Sequence, residues 1–393
     1  MKYLQKLISP ILILAACATQ NASAQTDTIS NAPVWHVSAL ASPSYIFGTC
    51  TFLQGENAKG KTVNCALSGS LRAGFSFSPQ SRLGRLYPGM YQGIGIESYT
   101  FFAPSLLGSP VAAHIYQGAP VFHFSNRLWL GYEWKFGAAF GWKHHKKGSD
   151  DNNSAVSTNI TAQMGIAFRL NYSVTPCWHL SLAIEGVHFS NGNTSSPNSG
   201  VNMAGATIGL TYIINPRPTI SSSPQPDLDA EQPGWHYDIM AYGARRKRIL
   251  TIAGQSELCP GSFGVGGLQF AAMRKFNRWF TAGPAVDLQY DESAGLPPYH
   301  VEGTTGDYLK FYRPPFGKQL SAGLSAHAEL TAAIFAINGG IGYDLLCPKG
   351  NEAFYQSLSL KAFITPRLFL NVGYRLGNFK ESQNLILGAG VRL

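Results

Sequence analysis

From Arg127 to Lys143 the chain reads RLWLGYEWKFGAAFGWK, with Leu128, Leu130, Tyr132, Trp134, Phe136, Ala138, Phe140 and Trp142 at every second position. The positions between hold Arg127, Glu133, Lys135 and Lys143, together with Gly131, Gly137 and Gly141. Successive side chains of a strand point to opposite faces, so one face is wholly apolar and rich in aromatics while the other is small or charged. Strands of soluble sandwiches alternate too, but rarely for this long. The pattern predicts a membrane-spanning strand with lipid on one side and a polar lumen on the other. Similar segments, about eight in all, recur from Trp35 through Ile214 with polar or Gly-rich turns between them.

A Pro/Ser-rich stretch, Asn215 to Gly234 (NPRPTISSSPQPDLDAEQPG), cannot hold a central strand and reads as a linker. After it the pattern restarts. Pro33-Val34-Trp35-His36 is echoed by Pro233-Gly234-Trp235-His236, and Thr175-Pro176 before WHLSLAI is echoed by Thr365-Pro366 before FLNVGY. The final stripe, Leu385, Leu387, Ala389, Val391 and Leu393, alternates as a closing barrel strand would. These echoes predict a diverged duplication. The expected fold is all-β, a transmembrane antiparallel β-barrel built of two modules, 33–214 and 235–393, of about eight strands each. Two tandem barrels or one merged barrel of about sixteen strands both satisfy the pattern. The long linker, and a first copy sufficient to close alone, favour the tandem arrangement.

Composition sharpens this. Charged residues are 13% of the 393 and aromatics 12%, too few charges and too many rings for an ordinary soluble enzyme. Met1 to Gln25 reads as a secretory signal, with Lys2 and Lys6 ahead of the apolar run Leu7 to Leu14. No later stretch approaches the roughly 18 apolar residues of a spanning helix, so membrane residence rests on strands and the expected location is the bacterial outer membrane. Two processing sites stay open. Cleavage after Ala24 would remove residues 1–24, whereas Leu14-Ala15-Ala16-Cys17 resembles a lipoprotein box that would remove 1–16 and acylate Cys17. The other cysteines, Cys50, Cys65, Cys177, Cys259 and Cys347, are odd in number in an oxidising compartment. Cys50 and Cys65 flank a polar loop and are one possible disulfide; Cys259 and Cys347, each before a proline, are another; free thiols are the alternative. The formal charge of +9 is densest at Lys143–Lys147 and Arg245–Arg248, where strand ends would meet lipid phosphates. An exported barrel has no nucleic-acid partner to expect. His144 and His145 would point opposite ways on a strand, so no metal site is expected there.

The candidate chemistry lies on one hairpin. In WHLSLAIEGVHFS, the stripe Trp178, Leu180, Leu182, Ile184 and Gly186 ends in His188 and Ser190. The next stripe, running to Ile214, begins with Asn202, and the joining segment Asn191 to Val201 puts all three near one end of the hairpin. Polar groups on a lipid face are costly unless they function or sit at the rim. Ser190 can attack an ester carbonyl, His188 can take and return its proton, and Asn202 can orient the imidazole. Glu185 falls on the lumen face and is expected to be a paired buried charge. In the second copy the Thr-Pro alignment sets Asn378 against His188 and Lys380 against Ser190, so that module is expected to be structural.

His188-Phe189-Ser190-Asn191-Gly192 resembles the motif of the outer-membrane lipid A 3-O-deacylase (acyloxyacyl hydrolase) family, eight-stranded barrels with a His-x-Ser-Asn site on the lipid-facing wall. Arg85-Leu86-Tyr87-Pro88-Gly89 and the run to Tyr212 resemble the duplicated, Bacteroidetes-type version. In that family a Glu follows the Ser by twelve residues; here the position holds Asn202, as in outer-membrane phospholipase A, whose motif is also similar. The resemblance implies a serine acyl-ester hydrolase that removes an ester-linked chain from lipid A, remodelling lipopolysaccharide without a cofactor. It also implies Asn191 and Gly192 as oxyanion donors. The alternatives are a phospholipase A, under which alone Ca²⁺ would enter, and a non-enzymatic pore or structural barrel. Acyl position and oligomeric state stay open.

Overall fold

The computed structural model describes residues 32–145, 152–192, 194–216, 234–252, 255–301, 308–379 and 381–393. Cys17, both processing sites, most of the linker and Lys380 lie outside the described residues. Among those described, no helix is long and apolar enough to cross a membrane.

The first module comprises β1 (Val34–Ile46), β2 (Cys65–Ser76), β3 (Tyr91–Thr100), β4 (Gly108–His123), β5 (Leu128–Trp142), β6 (Ile160–Ser173), β7 (Trp178–Ser190) and β8 (Val201–Ile213). Each pairs antiparallel with the next, and β1 also pairs with β8, so the barrel closes and leaves no free edge. The second module comprises β9 (Gly234–Arg246), two hairpins β10 (Ile249–Ile252)–β11 (Gln255–Leu258) and β14 (Pro298–Val301)–β15 (Tyr308–Phe311), and seven more long strands. These are β12 (Phe263–Lys275), β13 (Phe280–Asp291), β16 (Leu320–Ala332), β17 (Phe335–Leu346), β18 (Phe354–Phe363), β19 (Leu368–Gly377) and β20 (Glu381–Arg392). With β9 they form a second closed barrel, β20 pairing back to β9. The arrangement is tandem, not a merged sixteen-stranded wall.

The faces follow the alternation. Ile184 is 74% exposed on the outer wall while its neighbour Glu185 is 5% exposed inside. Inside, Glu133 accepts from Arg72 at 2.6 Å, Arg169 at 2.9 Å and Tyr91 at 3.0 Å. Lys135 bonds Glu97 at 2.7 Å and Glu185 at 2.5 Å, and Thr207 donates to Glu185 at 2.9 Å. Eight-stranded barrels have room for side chains and little else, and buried charges hold only when paired. The second lumen repeats the device: Lys361 bridges Asp238 and Glu329, both at 2.7 Å, and Arg392 reaches the same two carboxylates at 2.8 Å. Interiors so filled leave the outer wall and the rims as sites for chemistry on a ligand.

The tight turns 124–127 and 174–177 lie at the end where β1 starts, whereas the longest connections, 47–64 and 143–159, lie at the other. Barrels carry short turns on the periplasmic side and longer loops outside, so the end of β7 and the start of β8 face outward. That end is capped by an apolar cluster including Phe52, Leu53, Trp142, Phe189 and Val201.

Two expectations need correction, and one finding was not anticipated. All five described cysteines are free. Cys50, in the β1–β2 connection, packs toward the capping cluster, while Cys65 at the start of β2 is exposed on the outward face, so alternation in β2 turns its thiol away from that cluster. Cys259 is buried with Phe263 and Leu296, and Cys347 donates instead to the Asn351 carbonyl at 3.4 Å. The Arg245–Arg248 run is not all available to lipid, because Arg246 is buried in an ion pair with Asp291 at 3.0 Å. The second module also holds a Ser-His-Asn arrangement that the Thr-Pro alignment does not reveal: His327 Nδ1 meets Asn338 Oδ1 at 2.7 Å and its Nε2 meets Ser325 Oγ at 3.0 Å. All three are buried in the lumen, and Ser325 also donates to Asp287 at 2.5 Å, so this is a closed polar network.

Candidate active site

The geometry starts with Phe189, which is fully buried and packs edge-on against Tyr99 and Trp142, each 5.1 Å away between ring centres. Anchoring this one side chain inward turns its neighbours His188 and Ser190 outward. His188 stands directly opposite Asn202 in the β7–β8 ladder. Its Nδ1 lies 2.6 Å from Asn202 Oδ1. A carboxamide oxygen only accepts, so Nδ1 is the donor of this pair, which in the neutral tautomer leaves Nε2 as the acceptor.

Ser190 lies past the last β7–β8 pair, where the loop takes over. Its Oγ accepts from Asn198 Nδ2 at 2.9 Å and from the Gly192 N–H at 3.2 Å. Among the described residues no hydrogen bond joins Ser190 to His188. The sequence reading missed Asn198, and no spacing signal marks it. Asn198 Oδ1 also accepts from the Asn191 N–H at 3.2 Å, so one carboxamide ties the loop to the serine. Asn191 itself departs from expectation. Its carboxamide is buried and donates to Ser157 Oγ at 3.0 Å and to the Ser195 carbonyl at 3.1 Å, which commits it to loop packing. Gly192 retains a donor aimed at the serine. The loop is further held to the β5–β6 connection through Gly200 N–H to the Ala155 carbonyl, 3.0 Å.

Gly200 has φ +71, and a Cβ there would lie 2.7 Å from the Phe189 carbonyl and 3.1 Å from His188 Cε1. Only glycine fits the backbone and leaves the imidazole where it is. Along the outer wall, Ala204 sits two residues from Asn202 on the same face and borders an open apolar groove of about 540 Å³, lined also by Pro43, Tyr45, Cys65, Leu67 and Phe102. A hydrocarbon chain lying against the wall would meet it. Among the described residues no three His, Cys, Asp or Glu side chains converge as a metal site.

Two closed barrels with lipid-facing apolar walls and charge-filled lumens define an outer-membrane β-barrel protein, with an outward-facing Ser, His and Asn at one rim. Residues 68–211 match the family model described as lipid A 3-O-deacylase (PagL), and residues 235–393 match the one described as acyloxyacyl hydrolase, C-terminal domain. The chain belongs to the lipid A 3-O-deacylase family, and its location is the bacterial outer membrane. Among solved structures it is similar to Neisserial surface protein A at 12% identity and a TM-score of 0.29, over 45% of this chain and 96% of that one. An outer-membrane channel from Pseudomonas putida F1 is similar at 8% identity and a TM-score of 0.22, over 94% and 98%. No curated protein matches significantly.

Proposed function

We propose that the protein is a serine hydrolase that removes an ester-linked acyl chain from lipid A in the outer leaflet. The observation that carries this is the His188–Asn202 pair at 2.6 Å on the lipid-facing wall, with Ser190 two residues further along the same face. Ser190 Oγ attacks the ester carbonyl and its proton passes to His188 Nε2. Nucleophile–base hydrogen bonds of this kind often form only when substrate is bound. The N–H of Gly192 and Nδ2 of Asn198, which now donate to Oγ, are the donors that would serve the carbonyl oxygen that becomes negative as the tetrahedral intermediate forms. Collapse expels the sugar oxygen, which takes the proton from His188. Water then repeats the cycle on the acyl-serine and frees the fatty acid. Asn202 keeps the imidazole in one tautomer, though as a neutral amide it stabilises the imidazolium less than a carboxylate would.

Family membership favours lipid A over phospholipid as substrate, and the location of the trio at the outward end suits a lipid of the outer leaflet. The test is mass spectrometry of lipid A and phospholipids from cells producing the wild type or Ser190→Ala. Lipid A one acyl chain lighter in the first and unaltered in the second is expected. Acyl release undiminished in a folded Ser190→Ala barrel would refute the nucleophile, and loss of chains from phospholipid alone would make it a phospholipase.

A further inference from the structure

Two polar residues on the outer wall of the first barrel have no part in that chemistry. Gln92 on β3 and Gln117 on β4 lie on lipid-facing stripes, yet they are 3% and 0% exposed. Gln117 Nε2 donates to Gln92 Oε1 at 3.1 Å and to the Ala332 carbonyl of the second barrel at 3.0 Å. Around this bond Tyr87 meets Trp279 edge-on at 4.8 Å and Trp134 meets Phe335 edge-on at 5.0 Å. A carboxamide left in hydrocarbon would be costly, so the pair is intelligible only with the second barrel docked against it. These contacts lie toward the inward-facing half. At the opposite end the second barrel reaches the active-site loop. A Cβ on Gly192 would lie 2.4 Å from Leu385 Cδ2 and 2.8 Å from its Cγ, so the leucine rests directly on the turn that follows Ser190.

We propose that Leu385, carried by β20 of the second barrel, forms a side wall of the acyl-ester site on the first and sets which acyl chains it accepts. The proposal rests on Ser190 as nucleophile. An acyl chain whose carbonyl sits at Ser190 extends into the membrane along the outer wall. On the β8 flank it meets the groove beside Ala204; near the Gly192 turn it meets Leu385. An apolar side chain in that position contacts substrate and transition state alike. Shortening it therefore weakens binding with little effect on the chemical step.

The full-length protein in detergent micelles is assayed on lipid A species whose ester-linked chain runs from decanoyl to hexadecanoyl. Leu385→Ala is expected to raise KM roughly threefold to tenfold, with kcat within about twofold of wild type, and to flatten the chain-length preference. Leu385→Trp is expected to move the preference toward shorter chains. Leu387→Ala, one step along the same outward stripe and 45% exposed, is expected to keep the wild-type profile. A chain-length profile unchanged in both Leu385 variants overturns the proposal, as does a Leu387→Ala profile shifted just as far, which would mean a general loosening of β20. An active Ser190→Ala protein overturns the catalytic reading instead, and the Leu385 profiles still decide whether that side chain lines the site.

Discussion

Asn202 is the hydrogen-bond partner of His188, and the structure makes its contribution measurable. Its Oδ1 lies 2.6 Å from His188 Nδ1, directly across the β7–β8 ladder. In Asn202→Ala the Nδ1–H loses its acceptor in a half-buried setting. Removing one partner of such a bond costs about 1–3 kcal/mol. If that loss falls on the transition state, kcat drops roughly 5- to 150-fold. Asn202→Asp replaces a neutral bond by a charge-assisted one, about twice as strong, and supports the imidazolium that forms as Ser190 attacks. That variant is therefore expected to match or exceed wild type. The assay is fatty-acid release from lipid A micelles, with heat-modifiable migration on gels to confirm a folded barrel. If Asn202→Ala keeps kcat within about twofold of wild type while Ser190→Ala is inactive, Asn202 does not orient the base, and the 2.6 Å contact is a rim hydrogen bond only.

Gly200→Ala should lower kcat at least roughly tenfold in a barrel that still folds. Its Cβ would crowd the Phe189 carbonyl at 2.7 Å and His188 Cε1 at 3.1 Å, at a φ that costs an L-residue about 1–2 kcal/mol. Gly186→Ala on the same hairpin, where the nearest atom is 4.0 Å away, is the control and should change little. Glu133→Gln should leave Arg72 and Arg169 without their carboxylate inside the lumen and lower stability by about 3–5 kcal/mol, read as the shift of the urea unfolding midpoint in micelles. An unshifted midpoint would mean that water, and not the ion pairs, satisfies those guanidinium groups.

Strand faces were legible along the chain because side-chain direction in a strand repeats every two residues and depends on nothing distant. Hence Ile184 and Leu180 outside and Glu133 and Glu185 inside follow from order alone, and so does the outward direction of His188, Ser190 and Asn202. That the chain holds two modules of about eight strands was legible as well, from paired Trp-His and Thr-Pro echoes. Closure was not. One barrel or two depends on whether β1 pairs with β8, a contact between residues as far apart as His36 and Ile213 that no local pattern encodes. The same holds for what surrounds the serine. Asn198 reaches Ser190 because of how an irregular loop folds back, and Gly200 matters because of one positive φ beside His188. Gln92 and Gln117 broke the apolar stripes openly, yet their meaning required knowing that the Ala332 carbonyl of another barrel lies across from them. Periodicity is a property of one strand and can be read from it, whereas closure, loop conformation and docking bring together residues far apart in the chain, and only the folded structure determines which ones meet.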